Sequence, residues 1–359
     1  MRRRTFLMTA AATVASGRLA AATIDGRTFH APAEEAPHAR TWMCWPSRSR
    51  IYGGRRQLET VQEHLASLVR AIAKYEPVTM AATAAHHALI RELCGPVIDL
   101  VDIETDDMWA RDSGPVFLTD GADGVACLDF AFNGWGNKQV HENDRHVAAA
   151  IAAERGCPHI PAGIVGEGGG LEYDGEGTLL LTDSCWVNDN RNPDMTRSEI
   201  ENALKAGLGV EKVIWLPGVR GRDITDGHID GSIRIVRPGL LMTGGYPGDT
   251  SIWGQVLEES KAILKRETDA RGRSFEMVDI PSAVNVRSRD PYIFTGYANY
   301  YVGNGAIYTP RFGDRTADGI ANDRLGKLYP DREIVALDVD RIYESGGGIH
   351  CVTQQEPAV

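Results

Sequence analysis

Five short polar segments carry nearly all the side chains of this chain that could do chemistry. They are Asp106-Asp107-Met108-Trp109-Ala110-Arg111-Asp112-Ser113-Gly114-Pro115, Glu167-Gly168-Gly169-Gly170, Asp223 to Asp230 with Gly227-His228, Tyr297-Ala298-Asn299-Tyr300-Tyr301, and Glu344 to Cys351 with Gly346-Gly347-Gly348. Glycine lets a backbone turn tightly or approach a ligand closely. The pooled side chains are a thiol, imidazoles, a carboxamide and several carboxylates. A thiolate is a nucleophile, an imidazole suits acid–base work near neutral pH, and paired carboxylates can hold a planar cation through two hydrogen bonds. Taken one at a time, each segment has a plainer reading. A lone cysteine is commonly a small buried hydrophobe, and Arg111-Asp112 could be a structural ion pair. His228-x-Asp230 and His350-Cys351 have donor types that suit zinc, but carboxylates outnumber the nitrogen and sulfur donors, and no spacing supports a closed metal site.

These segments need elements to hold them. Leu58, Val61, Leu65, Leu68, Val69 and Ile72 recur at helical spacing, and Pro77-Val78-Thr79-Met80 then reads as a strand. The same order returns four times: Val147–Ile151 before His159-Ile160, a helix opened by the capping box Thr196–Glu199 before Val213–Leu216, Val256–Leu264 before Phe275–Val278, and Ile320–Leu328 before Ile334–Leu337. A repeat of about 64 residues points to a radial or stacked α/β architecture, with an ordinary α/β domain as the alternative. If the units are related by rotation, the five polar segments converge on one centre. No linker divides the chain, so a single domain is expected over residues 28–356.

The 359 residues carry a formal charge of −11, with 43% hydrophobic and 24% charged residues. These are globular values, and the absence of a basic patch excludes nucleic acid as an expected partner. An acidic chain suits a cationic small molecule. No run of 18 apolar residues follows the N-terminal stretch, so no stable membrane anchor is expected. The N-terminus differs: Arg2-Arg3-Arg4-Thr5-Phe6-Leu7, then an Ala/Thr-rich stretch to Ala20-Ala21-Ala22, reads as a removable export signal over residues 1–22. Arg3-Arg4 resembles the twin-arginine type, which implies a periplasmic or secreted protein. The six cysteines, at 44, 94, 127, 157, 185 and 351, contain no CxxC pair; export permits disulfides among them, although a chain of this size does not need them.

In this order the motifs resemble the agmatine deiminase and bacterial-type peptidylarginine deiminase family, within the guanidine-modifying pentein superfamily. The resemblance runs from Pro32-Ala33-Glu34 and Thr41-Trp42-Met43-Cys44-Trp45-Pro46 through Trp109–Pro115, Glu167-Gly168-Gly169, Asp174–Thr178, Cys185, Asn190-Arg191-Asn192-Pro193, Thr225–Asp230 and Ala298–Tyr301 with Asn304-Gly305 to Gly347–Gln355. It implies a five-bladed α/β propeller with pseudo-five-fold repeats. It also implies Cys351 as nucleophile, His228 as acid and base, Asp112 and Asp230 as guanidinium ligands, Glu167 as the partner of His228 or part of the anionic cradle, and Trp109 and Asn299 as substrate-lining residues, with no metal or organic cofactor. The implied reaction is hydrolytic deimination, of agmatine to N-carbamoylputrescine or else of arginine in peptides to citrulline. Two other readings are an amidinotransferase and an exported guanidine- or metal-binding protein without activity. A homo-oligomer is compatible with any of them. Gly170-Leu171-Glu172, Gly231 and Gly296-Tyr297-Ala298 depart from the family pattern and are expected at the rim.

Overall fold

In a computed structural model of the chain, residues 22–245 and 248–359 are described. The expected export signal therefore lies, but for Ala22, outside the described residues.

The fold is mixed α/β and, besides the short antiparallel pair Thr23–Ile24 and Arg27–Thr28, the described residues form five small open sheets of one design. In four of them two antiparallel strands are followed by a helix and a third strand, which returns parallel to the second. The strand sets are Val116–Thr119, Val125–Asp129 and His159–Pro161; Glu172–Tyr173, Thr178–Thr182 and Lys212–Leu216; Ile233–Arg237, Leu240–Gly245 and Glu276–Pro281; and Tyr301–Val302, Ala306–Pro310 and Glu333–Leu337. The connecting helices are Val147–Arg155, Arg197–Leu208, Ile252–Leu264 and Arg315–Leu328. A parallel return requires such a crossover, which is why helix and last strand recur together in the sequence.

The fifth sheet joins the two ends of the chain. Gln354–Pro357 pairs antiparallel with His38–Cys44, which pairs parallel with Val78–Ala82 across the helix Arg55–Ile72; Asp99–Asp102 adds an edge. Closing one unit with both ends anchors Cys351, three residues before the final strand.

The local signals have clear structural counterparts. Leu58, Val61, Leu65, Leu68, Val69 and Ile72 are all buried on one face of Arg55–Ile72. Thr196 and Glu199 make both bonds of the capping box, and the helix they start ends at Gly209 with φ 70°. The sequence periodicity marks the helix and third strand of each unit but not the antiparallel pair. Three middle strands, Val78–Ala82, Thr178–Thr182 and Ala306–Pro310, are buried at every position, so no alternation of apolar and polar residues announces them.

Candidate active site

Each site residue predicted from sequence stands just before the first antiparallel strand of a unit. Asp112 is in the short helix Ala110–Ser113, Glu167 precedes the turn Gly168–Gly170, and His228 precedes the turn Ile229–Gly231, which holds Asp230. Asn299 precedes Tyr301–Val302, and Cys351 precedes Gln354–Pro357. Trp109 caps the Asp112 helix. Five equivalent turns thus deliver one group of candidate side chains, and Gly169 shows how closely they meet. A Cβ on Gly169 would lie 2.7 Å from His228 Nδ1, 2.8 Å from Asp112 Oδ1 and 3.2 Å from Asp230 Oδ2. No other residue fits there without displacing all three.

Each group has defined partners. His228 Nε2 lies 3.2 Å from Glu167 Oε2, and Nδ1 lies 3.9 Å from Asp112 Oδ2. Burial disfavours the charged imidazole, but Asp112, Glu167 and Asp230 outweigh it and raise the His228 pKa to about 9. Glu167 accepts from Arg191 Nε at 2.8 and 2.9 Å; burial pushes its pKa up, yet Arg191 and His228 hold it below the ordinary value. Asp112 accepts from Trp135 Nε1 at 2.9 Å and from the Gly169 amide at 3.0 Å, and burial raises its pKa.

The nucleophile candidate is half-buried. Cys351 Sγ lies 3.2 Å from Asn299 Nδ2 and 3.6 Å from Asp230 Oδ2. Burial, then the charges of Asp230 and Asp112, push its thiol well above the usual range. Asn299 also accepts from the His350 and Cys351 amides through Oδ1, so it supports the loop of Cys351 as well as its sulfur.

A cavity of about 630 Å³ reaches Asp112 and Cys351 of this group, and Tyr52, Asp107, Trp109 and Trp135 are also among its walls. Glu167, His228, Asp230 and Asn299 are not in that lining; Asn299 donates to Asp230 at 3.0 Å and contacts the sulfur and the backbone behind it. Trp109 packs against Gly347, where a Cβ would approach its ring to 2.5 Å. Asp107 is 1% exposed and accepts from Gln139 Nε2 at 2.6 Å, from the Met108 amide at 2.8 Å and from the Tyr52 hydroxyl. Its neighbour Asp106 has Arg48 at 2.6 Å, whereas no cationic side chain among the described residues pairs with Asp107. Burial raises the Asp107 pKa.

Glu172 is not at a rim. It is 6% exposed, behind Asp230, in a cluster with Glu34, Arg234 and His350. Arg234 donates to Glu172 at 2.5 Å and to Glu34 at 2.5 Å, while His350 bridges Asp230 at 2.8 Å and Glu34 at 3.0 Å. The rim expectation rested on the departure from the family pattern; the buried guanidinium of Arg234 is what makes a carboxylate stable there. Glu34, Glu172 and His350 offer three donors within 4.8 Å, but the guanidinium already fills the cationic role between the two carboxylates.

Sequence reasoning passed over Trp135, Asp107 and Arg234, and assigned no role to Arg191 although its motif was recognised. Trp135 had no signal: it sits at φ 56° in the left-handed region, an orientation that Asn133 supports by accepting from the Gly136 amide. Asp107 was within the first polar segment, but nothing local separates it from Asp106.

The family model described as Porphyromonas-type peptidyl-arginine deiminase matches residues 30–357. An agmatine deiminase of Stutzerimonas stutzeri is 36% identical, with 92% of this chain and 96% of the relative covered. One from Medicago truncatula is 34% identical, covering 92% and 97%. The structure of the agmatine deiminase of Enterococcus faecalis is similar with a TM-score of 0.85 and 27% identity, over 92% of this chain and 96% of that one.

Proposed function

The chain belongs to the Porphyromonas-type peptidyl-arginine deiminase family, and from that premise we propose that it hydrolyses the guanidinium group of agmatine to a ureido group, releasing ammonia. The observation that carries this reading is the convergence of Asp112, Glu167, His228 and Asp230 around Gly169, with Cys351 within 3.6 Å of Asp230.

In this reading Asp112 and Asp230 hold the guanidinium and turn its central carbon toward Cys351 Sγ. The bound cation offsets the two carboxylates that disfavour the thiolate, so substrate binding releases the thiol proton to solvent. The thiolate attacks the central carbon. His228, already protonated, gives its proton to the departing nitrogen, and ammonia leaves. The neutral imidazole then takes a proton from water, whose oxygen attacks the amidino carbon. Collapse breaks the carbon–sulfur bond and yields the ureido product. Glu167, oriented by Arg191, holds the ring of His228 throughout. The residues do this without calling on a metal or organic cofactor.

Agmatine is favoured by the buried carboxylate of Asp107 in the cavity wall, a counter-charge for a distal ammonium. Peptidylarginine is the second reading, favoured by the description of the family model. The five like units are read as five blades of one domain, with these turns at its centre. Export rests on Arg3-Arg4 and the small residues to Ala22. Ammonia release measured in parallel on agmatine, free arginine and an internal-arginine peptide decides the substrate; turnover of the peptide alone overturns the agmatine reading.

A further inference from the structure

Two cysteines outside the site lie unusually close together. Cys127 is buried in the strand Val125–Asp129, and Cys157 is half-buried just after the helix Val147–Arg155. Their sulfurs are 2.9 Å apart although 30 positions separate them in sequence. The backbone holds them in this relation: the Cys127 amide donates to Pro158 O at 2.8 Å, the Cys157 amide donates to Ala152 O at 3.1 Å, and Cys127 pairs with His159 across the sheet. A closure of about 0.9 Å would reach the S–S bond length of about 2.05 Å. The other cysteines do not compete. Cys44, Cys94 and Cys185 are buried, and no other sulfur lies among their hydrogen-bond partners.

We propose that Cys127 and Cys157 form a disulfide by exchange with an external disulfide, and that this bond fastens the helix Val147–Arg155 to its sheet. Cys157 reacts first, because it is the more exposed of the two. Its thiolate attacks one sulfur of the external disulfide, breaking that S–S bond and releasing one thiolate. Cys127 then loses its proton and attacks Cys157 Sγ, releasing the second thiolate. Two protein thiols are oxidised by two electrons, one external disulfide is reduced to two thiols, and the two protons end on those thiols. The surroundings suit this order. Contact with Cys127 is the main influence that favours the Cys157 thiolate; burial and Glu356 oppose it, Arg155, paired with Glu356 at 2.7 Å, adds to it, and the net effect places the Cys157 pKa below the ordinary thiol value. Cys127 is pushed far up by the contact with Cys157 and by burial, so it is the poorer first nucleophile.

The test uses the whole chain with all six cysteines, equilibrated with oxidised and with reduced glutathione, then acid-quenched, unfolded and alkylated. Peptide mapping without reduction should show, in the oxidised sample, one linked pair containing residues 127 and 157, about 2 Da lighter than the two free peptides. The oxidised protein should melt roughly 3–8 °C above the reduced one, because the crosslink constrains the unfolded chain. Cys127→Ser and Cys157→Ser should each abolish that difference. Recovery of both Cys127 and Cys157 as alkylated thiols after oxidation, or linkage of either to another cysteine, overturns the proposal. That mapping is made on the unsubstituted chain, so it decides even if a serine variant does not fold.

Discussion

His350 Nδ1 lies 2.8 Å from Asp230 Oδ2, and the residue next to it in sequence, Cys351, points its sulfur at the same oxygen from 3.6 Å. One turn of chain thus carries both the proposed nucleophile and the support of a carboxylate proposed to bind substrate. Burial raises the Asp230 pKa, but His350, foremost among its neighbours, brings it below the ordinary value. His350 is therefore a positioning residue. His350→Ala should lower kcat/KM by about 10- to 100-fold, the worth of one hydrogen bond to a charged group, with Cys351 still labelled by a cationic amidine. An unchanged kcat/KM removes this role.

Cys351→Ala should reduce ureido product by at least about 1000-fold while the chain stays folded. Chloroacetamidine, a cation, should alkylate Cys351 faster than neutral iodoacetamide at pH 7, because only the cation offsets Asp112 and Asp230. Mass spectrometry identifies the residue modified. Activity retained by the alanine variant sinks the assignment.

His228 should titrate near pH 9 instead of about 6.5, the usual value. Because the folded pKa is the higher one, its contribution to stability is complete below about pH 6.5 and is lost as pH rises through about 9. The unsubstituted protein should lose more stability between pH 7 and 10 than His228→Gln, measured by urea denaturation at each pH. An imidazole that titrates at or below 7 by NMR would falsify the picture of a pre-protonated acid.

Asp107→Asn should raise KM for agmatine by about 10-fold or more, the scale set by loss of a close charge pair. For butylguanidine, which lacks the distal amine, kcat/KM should change little. Equal losses on both substrates would place Asp107 outside the path of the distal ammonium.

Arg191→Met takes from buried Glu167 the first of its two cationic partners and leaves it only His228. The loss should be about 3–5 kcal/mol of stability, the cost of breaking a buried pair, and Glu167→Gln added to it should recover part of that loss. Thermal unfolding of the single and double variants gives the coupling.

The sequence alone determined what depends on local order and residue type. Helical periodicity from Leu58 to Ile72, the capping box at Thr196 and the repeated helix-then-strand order all follow from short-range physics, and each has its counterpart in the structure. The five polar segments were equally legible, because glycine next to chemically active side chains is unusual in a plain connection. The antiparallel pairs were not, since strands buried on both faces, such as Thr178–Thr182, have no alternating pattern. Only the tertiary structure decided which side chains meet. Glu34 reaches His350 across 316 positions and Arg234 across 200, and Trp135 reaches Asp112 from a left-handed turn. It also moved Glu172 from an expected rim into a buried ion cluster, and selected Cys127 and Cys157 from six cysteines. Such pairings depend on how the ends of different sheets approach one another, and no local spacing encodes that distance.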